Sequence, residues 1–200
     1  TRALRVDFKP RETVYCGLFP CTSPPYLSFA LTALTAGCTI VHSRDFQLWN
    51  DAGVSLVHGS LAQVDGLFRN VKLPRKIQQA HVGGAKTPDA LAKHLLHSFE
   101  TLVETYAATE TNRSHKNLRR LDQSGNVQTR GQKLDSEVQI VDDTGNLCAD
   151  GGPGTVRVRN GYLADGYLNN AQAQAAAFRD GWFYPGDIGK WDPNDVLRIL

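Results

Sequence analysis

The chain has 200 residues, 41% of them hydrophobic and 21% charged, with a formal net charge of +2. That length allows one large domain or two small ones with a real core. So mild a charge excludes a strong field for nucleic acid or an acidic membrane surface. Four cysteines, Cys16, Cys21, Cys38 and Cys148, show no CxxC spacing, which argues against zinc and for buried free thiols in a reducing compartment. No secretory-leader pattern is present, and the apolar-leaning run Tyr26 to Val41 is broken by Ser28, Thr32, Thr35 and Gly37. A soluble, cytoplasmic protein with no membrane span is expected. The sequence holds no methionine and runs from Thr1 to an apolar stretch ending at Leu200. We expect a piece of a longer chain, or one with segments left out.

In chain order, Thr13 to Gly17 reads as a strand and Phe19 to Pro25, with three prolines, as a loop. Leu27 to Ala36 reads as a buried helix stopped by Gly37. Cys38 to His42 is a β-rich run, Phe46 to Ala52 a short helix, and Val54 to His58 a strand. Ser60 is placed to cap a helix whose apolar stripe is Leu61, Val64, Leu67 and Phe68. Ile77 to Val82 reads as a strand entering Gly83-Gly84. Thr87-Pro88 opens a helix to about His97, with Thr87 as its cap, and Thr101 to Val103 is a short strand. This alternation predicts an α/β layered unit, a mostly parallel sheet with helices on its faces, over residues 1–112. Ligands in such sheets bind at the carboxyl ends of strands, where Gly83-Gly84 and Tyr106 to Glu110 fall.

After Glu110 the texture changes. Residues 113–129 read as a polar linker, and the cluster Arg113, His115, Lys116, Arg119 and Arg120 as its solvated face. Strands are predicted at Glu137 to Asp142, Thr155 to Arg159, Trp182-Phe183, Ile188 to Trp191 and Val196 to Leu200. Asp143-Thr144-Gly145-Asn146 and Gly151 to Gly154 are turns, and Ala171 to Phe178 is a helix. Residues 130–200 are therefore expected to form a smaller, mainly β unit resembling a distorted barrel.

Three stretches carry chemistry. In Thr105-Tyr106-Ala107-Ala108-Thr109-Glu110, Thr109 offers a hydroxyl to a phosphate oxygen and Glu110 a hard carboxylate for Mg²⁺. Tyr106 offers a ring face to a base, and the two alanines leave the backbone open. The bland alternative is a helix N-terminus capped by Thr109. Gly83-Gly84-Ala85 lets a flat ligand approach the backbone, or is only a tight turn. Asp180-Gly181-Trp182-Phe183-Tyr184-Pro185-Gly186-Asp187 ends a rigid turn in an acid that can accept two bonds from a ribose diol; the alternative is an exposed turn. There is no Gly-rich loop ending in Lys and Ser/Thr, no HExxH and no GxSxG. His94 and His97 share a helix face and read as exposed.

Taken in series, these stretches resemble the central part of the adenylate-forming (AMP-binding) superfamily: acyl- and aryl-CoA synthetases, luciferases and peptide-synthetase adenylation domains. Gly83-Gly84-Ala85 is similar to its GGA turn and Tyr106 to Glu110 to its Tyr-Gly-x-Thr-Glu motif. Gly154 to Asn160, with Gly166-Tyr167-Leu168-Asn169, is similar to its Gly-Glu-x-x-x-Arg-Gly and Gly-Tyr segments. Ala175 to Phe178 with Asp180 to Asp187 is similar to its Asp-Gly-Trp-Phe/Tyr-Arg-Thr-Gly-Asp stretch. The resemblance implies an AMP-forming carboxylate–CoA ligase. Its substrates would be a small carboxylic acid and ATP with Mg²⁺, and its acceptor coenzyme A or a carrier thiol.

It also implies roles. Glu110 would hold the metal and Thr109 contact phosphate, the two catalytic residues. Gly83, Gly84, Ala85, Thr105, Tyr106, Thr109 and Asp187 would bind the nucleotide, with Asp187 on the ribose, and Ala107 and Ala108 would line the acyl pocket. Departures are Ala107 for the motif glycine and Tyr184-Pro185 where Arg/Lys-Thr is common. The family's phosphate loop would precede Thr1, and its hinge and mobile C-terminal domain would follow Leu200. These residues alone are expected to be inactive. Two other readings stay open, a nucleotide- or acyl-binding module without turnover and a carrier-linked adenylation domain, as does homodimerisation.

Overall fold

A computed structural model describes residues 8–84, 86–149 and 151–200. The chain divides into two compact units, Thr1–Glu104 with Arg119–Gln128, and Thr105–Leu118 with Thr129–Leu200.

The first unit is helix-flanked sheet. Strands β1 (Val14–Gly17), β2 (Thr39–Ile40), β3 (Leu56–Ser60) and β4 (Ile77–Gly83) pair in parallel, β2 with β1, β1 with β3 and β3 with β4. Parallel strands need long crossovers, and here these are helices α1 (Pro24–Thr35), α2 (Phe46–Ala52) and α3 (Leu61–Phe68). Local chemistry sets their ends. Pro24 and Pro25 occupy the first turn of α1, where missing N–H groups cost little. Asp45 accepts from the Gln47 N–H at the start of α2, and Gly53 ends it at φ 72°. Ser60 and Gln63 form a capping box on α3. Helix α4 (Asp89–Leu95) begins after Pro88, which takes the cap position that Thr87 was expected to fill.

The core under this sheet is broad and apolar, running through Trp49, Val57, Val64, Phe68, Leu95, Phe99 and Leu102. A second, aromatic cluster joins Phe8, Tyr15, Tyr26 and Phe29, with the His58 ring stacked on Phe29 at 3.7 Å. The sheet continues as the order β2-β1-β3-β4-β5-β6-β7, where β5 is Phe99–Ala108, β6 Asn112–Leu121 and β7 Val127–Lys133. The short joints at 109–111 and 122–126 make β5, β6 and β7 successive hairpin arms, so the sheet is mixed.

The second unit holds an antiparallel sheet of order β10-β11-β9-β12-β13, with β8 also paired to β9. Its strands are β8 (Ser136–Val141), β9 (Gly154–Asn160), β10 (Phe178–Arg179), β11 (Trp182–Phe183), β12 (Ile188–Asp192) and β13 (Val196–Ile199); helix α5 (Ala171–Ala177) precedes β10. The central strand is β9. Val156 faces Ile140 and Val158 faces Val138 across it, and with Leu197 they make a small apolar core. Gly131 packs so closely that an added Cβ would lie 1.7 Å from the Asp195 carbonyl oxygen.

Three expectations are corrected. Residues 113–129 are not a linker, because β6 and the start of β7 fill them. The basic cluster is not a solvated face. Arg113, His115, Lys116 and Arg119 are buried on β6, and only Arg120 of the cluster is exposed, its Nε donating to the Thr101 hydroxyl at 2.8 Å. Arg119 donates to the Thr87 carbonyl at 2.6 Å and to Glu104 at 3.2 Å, and also pairs with Asp89. The thiols are not uniformly buried either: Cys16 and Cys38 are, but Cys21 is exposed and Cys148 half-buried.

Among the described residues no helix is long and apolar enough to cross a membrane.

Candidate functional site

The stretch 105–110 is not a helix N-terminus. Thr105 to Ala108 finish β5, and 109–111 form the turn into β6. A β-branched and aromatic run favours the strand. Alternation puts Tyr106 and Ala108 on one face and Thr105 and Ala107 on the other, so Thr105 does not share the face of Tyr106. Thr109 is exposed at the turn and Glu110 half-buried. The turn closes with the Thr111 N–H donating to the Ala108 carbonyl, 3.3 Å. Asn112 then takes a left-handed φ of 57°, a conformation asparagine tolerates, and its Oδ1 accepts from the Arg113 N–H at 2.9 Å.

Tyr106 reaches the other acidic stretch. Its hydroxyl donates to Asp187 Oδ2 at 2.6 Å, across 81 positions of sequence. Its ring packs on the apolar cluster around Val156 and Ile140. Burial and the bond to Asp187 push the phenol well above its ordinary range, so it stays a donor. Asp187 is fixed from behind as well. Gly186 turns at φ 90°, and the Asp187 carbonyl accepts from the Val156 N–H at 2.9 Å. One carboxylate oxygen is thus taken by tyrosine. A carboxylate offers about four lone-pair sites, which leaves acceptor capacity for a diol.

Glu110 is held by a different tyrosine. The Tyr167 hydroxyl donates to Glu110 Oε1 at 2.5 Å. The Glu110 carbonyl accepts from the Ala164 N–H at 2.8 Å, and Asn160 Nδ2 donates to the Thr111 carbonyl at 2.8 Å. Tyr106, Glu110 and Asp187 all belong to the second unit. Four extended residues span at most roughly 14 Å, which bounds the Cα separation of Tyr106 and Glu110.

Gly83 and Gly84 belong to the first unit. Gly83 ends β4 and Gly84 follows at φ 86°, exposed, with open space where a Cβ would be. The positive φ is what requires glycine here. Ala85 lies outside the described residues.

Among the described residues no three His, Cys, Asp or Glu side chains cluster to hold a metal. Glu110 and the Thr109 hydroxyl are hard oxygen donors. They fit Mg²⁺ in the manner of sites that use one or two carboxylates plus substrate phosphates rather than a protein cage. Tyr167 is missing from the sequence-level site. The Gly166-Tyr167 pair was visible only as a pattern match, and its contact with Glu110 depends on a loop that closes over 57 positions.

The chain thus holds a helix-flanked, partly parallel sheet and an antiparallel sheet, with Asp187 tied through Tyr106 to the strand that leads to Thr109 and Glu110. A family model described as AMP-binding enzyme matches residues 3–168, and the chain belongs to that family. It is 27% identical over 129 residues to 2-succinylbenzoate–CoA ligase of Bacillus licheniformis, covering 64% of this chain and 27% of that protein. It is 30% identical over 118 residues to indoleacetate–CoA ligase of Aromatoleum aromaticum, covering 58% of this chain and 23% of that protein. The chain therefore spans about a quarter of the length of these relatives. Among solved structures, O-succinylbenzoate coenzyme A synthetase of Bacillus subtilis in complex with ATP and magnesium ion superposes with a TM-score of 0.81 at 21% identity. It matches all of this chain and 44% of that one. At that identity the likeness shows the fold, that of adenylate-forming enzymes.

Proposed function

We propose that the chain belongs to an enzyme that activates a carboxylic acid with Mg-ATP and passes the acyl group to coenzyme A. In the first step a substrate carboxylate oxygen forms a bond to the α-phosphorus, and the bond from that phosphorus to the bridging oxygen breaks. Pyrophosphate leaves and an acyl-adenylate remains. In the second, a thiolate attacks the acyl carbon and AMP leaves with its electron pair. The observation that carries this reading is the 2.6 Å bond between Tyr106 and Asp187, which joins two separate family motifs at one place.

In this reading Asp187 receives the ribose hydroxyls, and Tyr106 both lies along the base and orients Asp187. Thr109 donates to a phosphate oxygen and Glu110 takes the cation. The resemblance also gives Gly83, Gly84, Ala85 and Thr105 a role toward the nucleotide and Ala107 and Ala108 a role toward the acyl group. Mg²⁺, when bound, supplies neutralisation of phosphate charge. The protein's contribution is mainly placement and fixed dipoles.

The test is pyrophosphate release by the full-length protein across a panel of carboxylic acids, with and without coenzyme A. Acid-dependent release, with thioester formed only when coenzyme A is added, is expected. ATP binding without release for any acid would replace the reading with that of a binding module. Thioester formation on a carrier protein alone would replace the acceptor.

A further inference from the structure

Tyr167 lies outside the residues to which the family resemblance gives a role, yet it is firmly aimed. Its hydroxyl donates to Glu110 Oε1 at 2.5 Å. Its backbone N–H donates to Gln174 Oε1 at 2.8 Å, and its ring meets Phe178 edge-on at 5.3 Å. Gly166 before it sits at φ 147°, with the Gln174 amide occupying the space a Cβ would need. The loop is therefore seated on α5 at one end. At the other it is tied to the β5–β6 turn through Ala164 and Asn160.

Resting on the reading of Glu110 as the metal-bearing carboxylate, we infer that Tyr167 is a positioning residue for it: the hydroxyl holds one oxygen of Glu110 and leaves the other for the nucleotide-borne divalent cation. Metal-ligating carboxylates are themselves hydrogen-bonded, and loss of such an outer partner costs about 10- to 100-fold in metal affinity. The opposite relation is also definite. If Tyr167 competed with the cation, removing its hydroxyl would tighten metal binding.

The experiment uses the full-length protein, a non-hydrolysable ATP analogue and Mn²⁺, with free Mn²⁺ followed by electron paramagnetic resonance. Tyr167→Phe is expected to weaken Mn²⁺ binding about tenfold. In turnover it should raise the Mg²⁺ midpoint by a similar factor while leaving the rate at saturating Mg²⁺ close to that of the parent. Asn160→Ala loosens the same loop without touching the carboxylate and should lower thermal stability with little change in Mn²⁺ affinity. Unchanged or tighter Mn²⁺ binding by Tyr167→Phe would overturn the inference. So would an equal loss in Asn160→Ala, which would make the effect one of loop packing. Glu110→Gln separates the two levels. If it binds Mn²⁺ like the parent, the metal reading of Glu110 fails. If it weakens binding and Tyr167→Phe does not, only the role of Tyr167 fails.

Discussion

Each of the two units is stabilised internally in its own way. The first has a broad core of aliphatic and aromatic side chains from every helix and strand. The second has an apolar cluster of four buried residues, Ile140, Val156, Val158 and Leu197. Around it lie polar ties between distant segments: Tyr106 to Asp187, Tyr167 to Glu110, Asn160 to Thr111 and Asn117 to Leu197. Apolar packing is non-directional and fixes shape through volume. A hydrogen bond fixes a particular atom. The carboxylates of the proposed site sit in the unit where atoms are fixed one by one, so substitutions there should change function more than stability.

The largest effect expected is in the first unit. Phe68 is buried against Phe99 with ring centres 4.6 Å apart, and Phe68→Ala should cost about 3–5 kcal/mol, read as a lowered unfolding midpoint. In the second unit Asp187→Asn should leave the midpoint nearly unchanged and weaken ATP use by about ten- to a hundredfold in full-length enzyme, matching roughly 1.5–3 kcal/mol for a charged hydrogen bond. Tyr106→Phe should act in the same direction, about tenfold, mainly on KM for ATP. A Tyr106→Phe protein that melts as early as Phe68→Ala while using ATP normally would break the comparison.

A smaller, pH-dependent effect sharpens it. His115 is buried against Trp191, facing Asp195, Lys133 and Asn117. Burial holds its imidazole down at about 4, against an ordinary 6.5. Between those values the unfolded chain binds a proton that the folded chain does not, so stability is full above about pH 6.5 and falls as the pH drops toward 4. Asp142 and Asp192, whose carboxyls hydrogen bonds hold below the usual range, lose their share only at still lower pH. Thermal melts at pH 7 and pH 4.5 should differ less in His115→Phe than in the parent. The smallest effect is chemical. Cys21, exposed beside His42 at 3.6 Å, should label first with iodoacetamide, as read by mass spectrometry. The Cys16 thiol, pushed up to about 11 by burial, should label only after unfolding.

Much of the first unit was legible because its signals are local. Ser60 with its stripe of Leu61, Val64 and Phe68 announces a capped amphipathic helix, and Phe46 to Ala52 was read with the bounds it has. The second unit was legible strand by strand but not in its polar interior. Nothing in the spacing of Arg113 to Arg120 distinguishes a solvated loop from a strand that buries its charges, because the partners, Glu104, Thr87 and Asp89, come from elsewhere in the chain. The site divides the same way. Glu110 and Asp187 stand out as unusual acids in unusual strings. The tyrosines that hold them depend on contacts over 57 and 81 positions, which no window of sequence contains.

The β5–β6 turn carries one more consequence. Residues 109–111 connect two strands whose side chains alternate, and Asn112 resets the backbone at φ 57°. Length is therefore as strictly specified there as identity. One residue inserted between Tyr106 and Glu110 would shift Glu110 relative to Tyr106 and to the Tyr167 hydroxyl that holds it, although every residue type of the motif would still be present. An insertion at Ala108 should abolish acyl-adenylate formation more completely than any single substitution in the stretch.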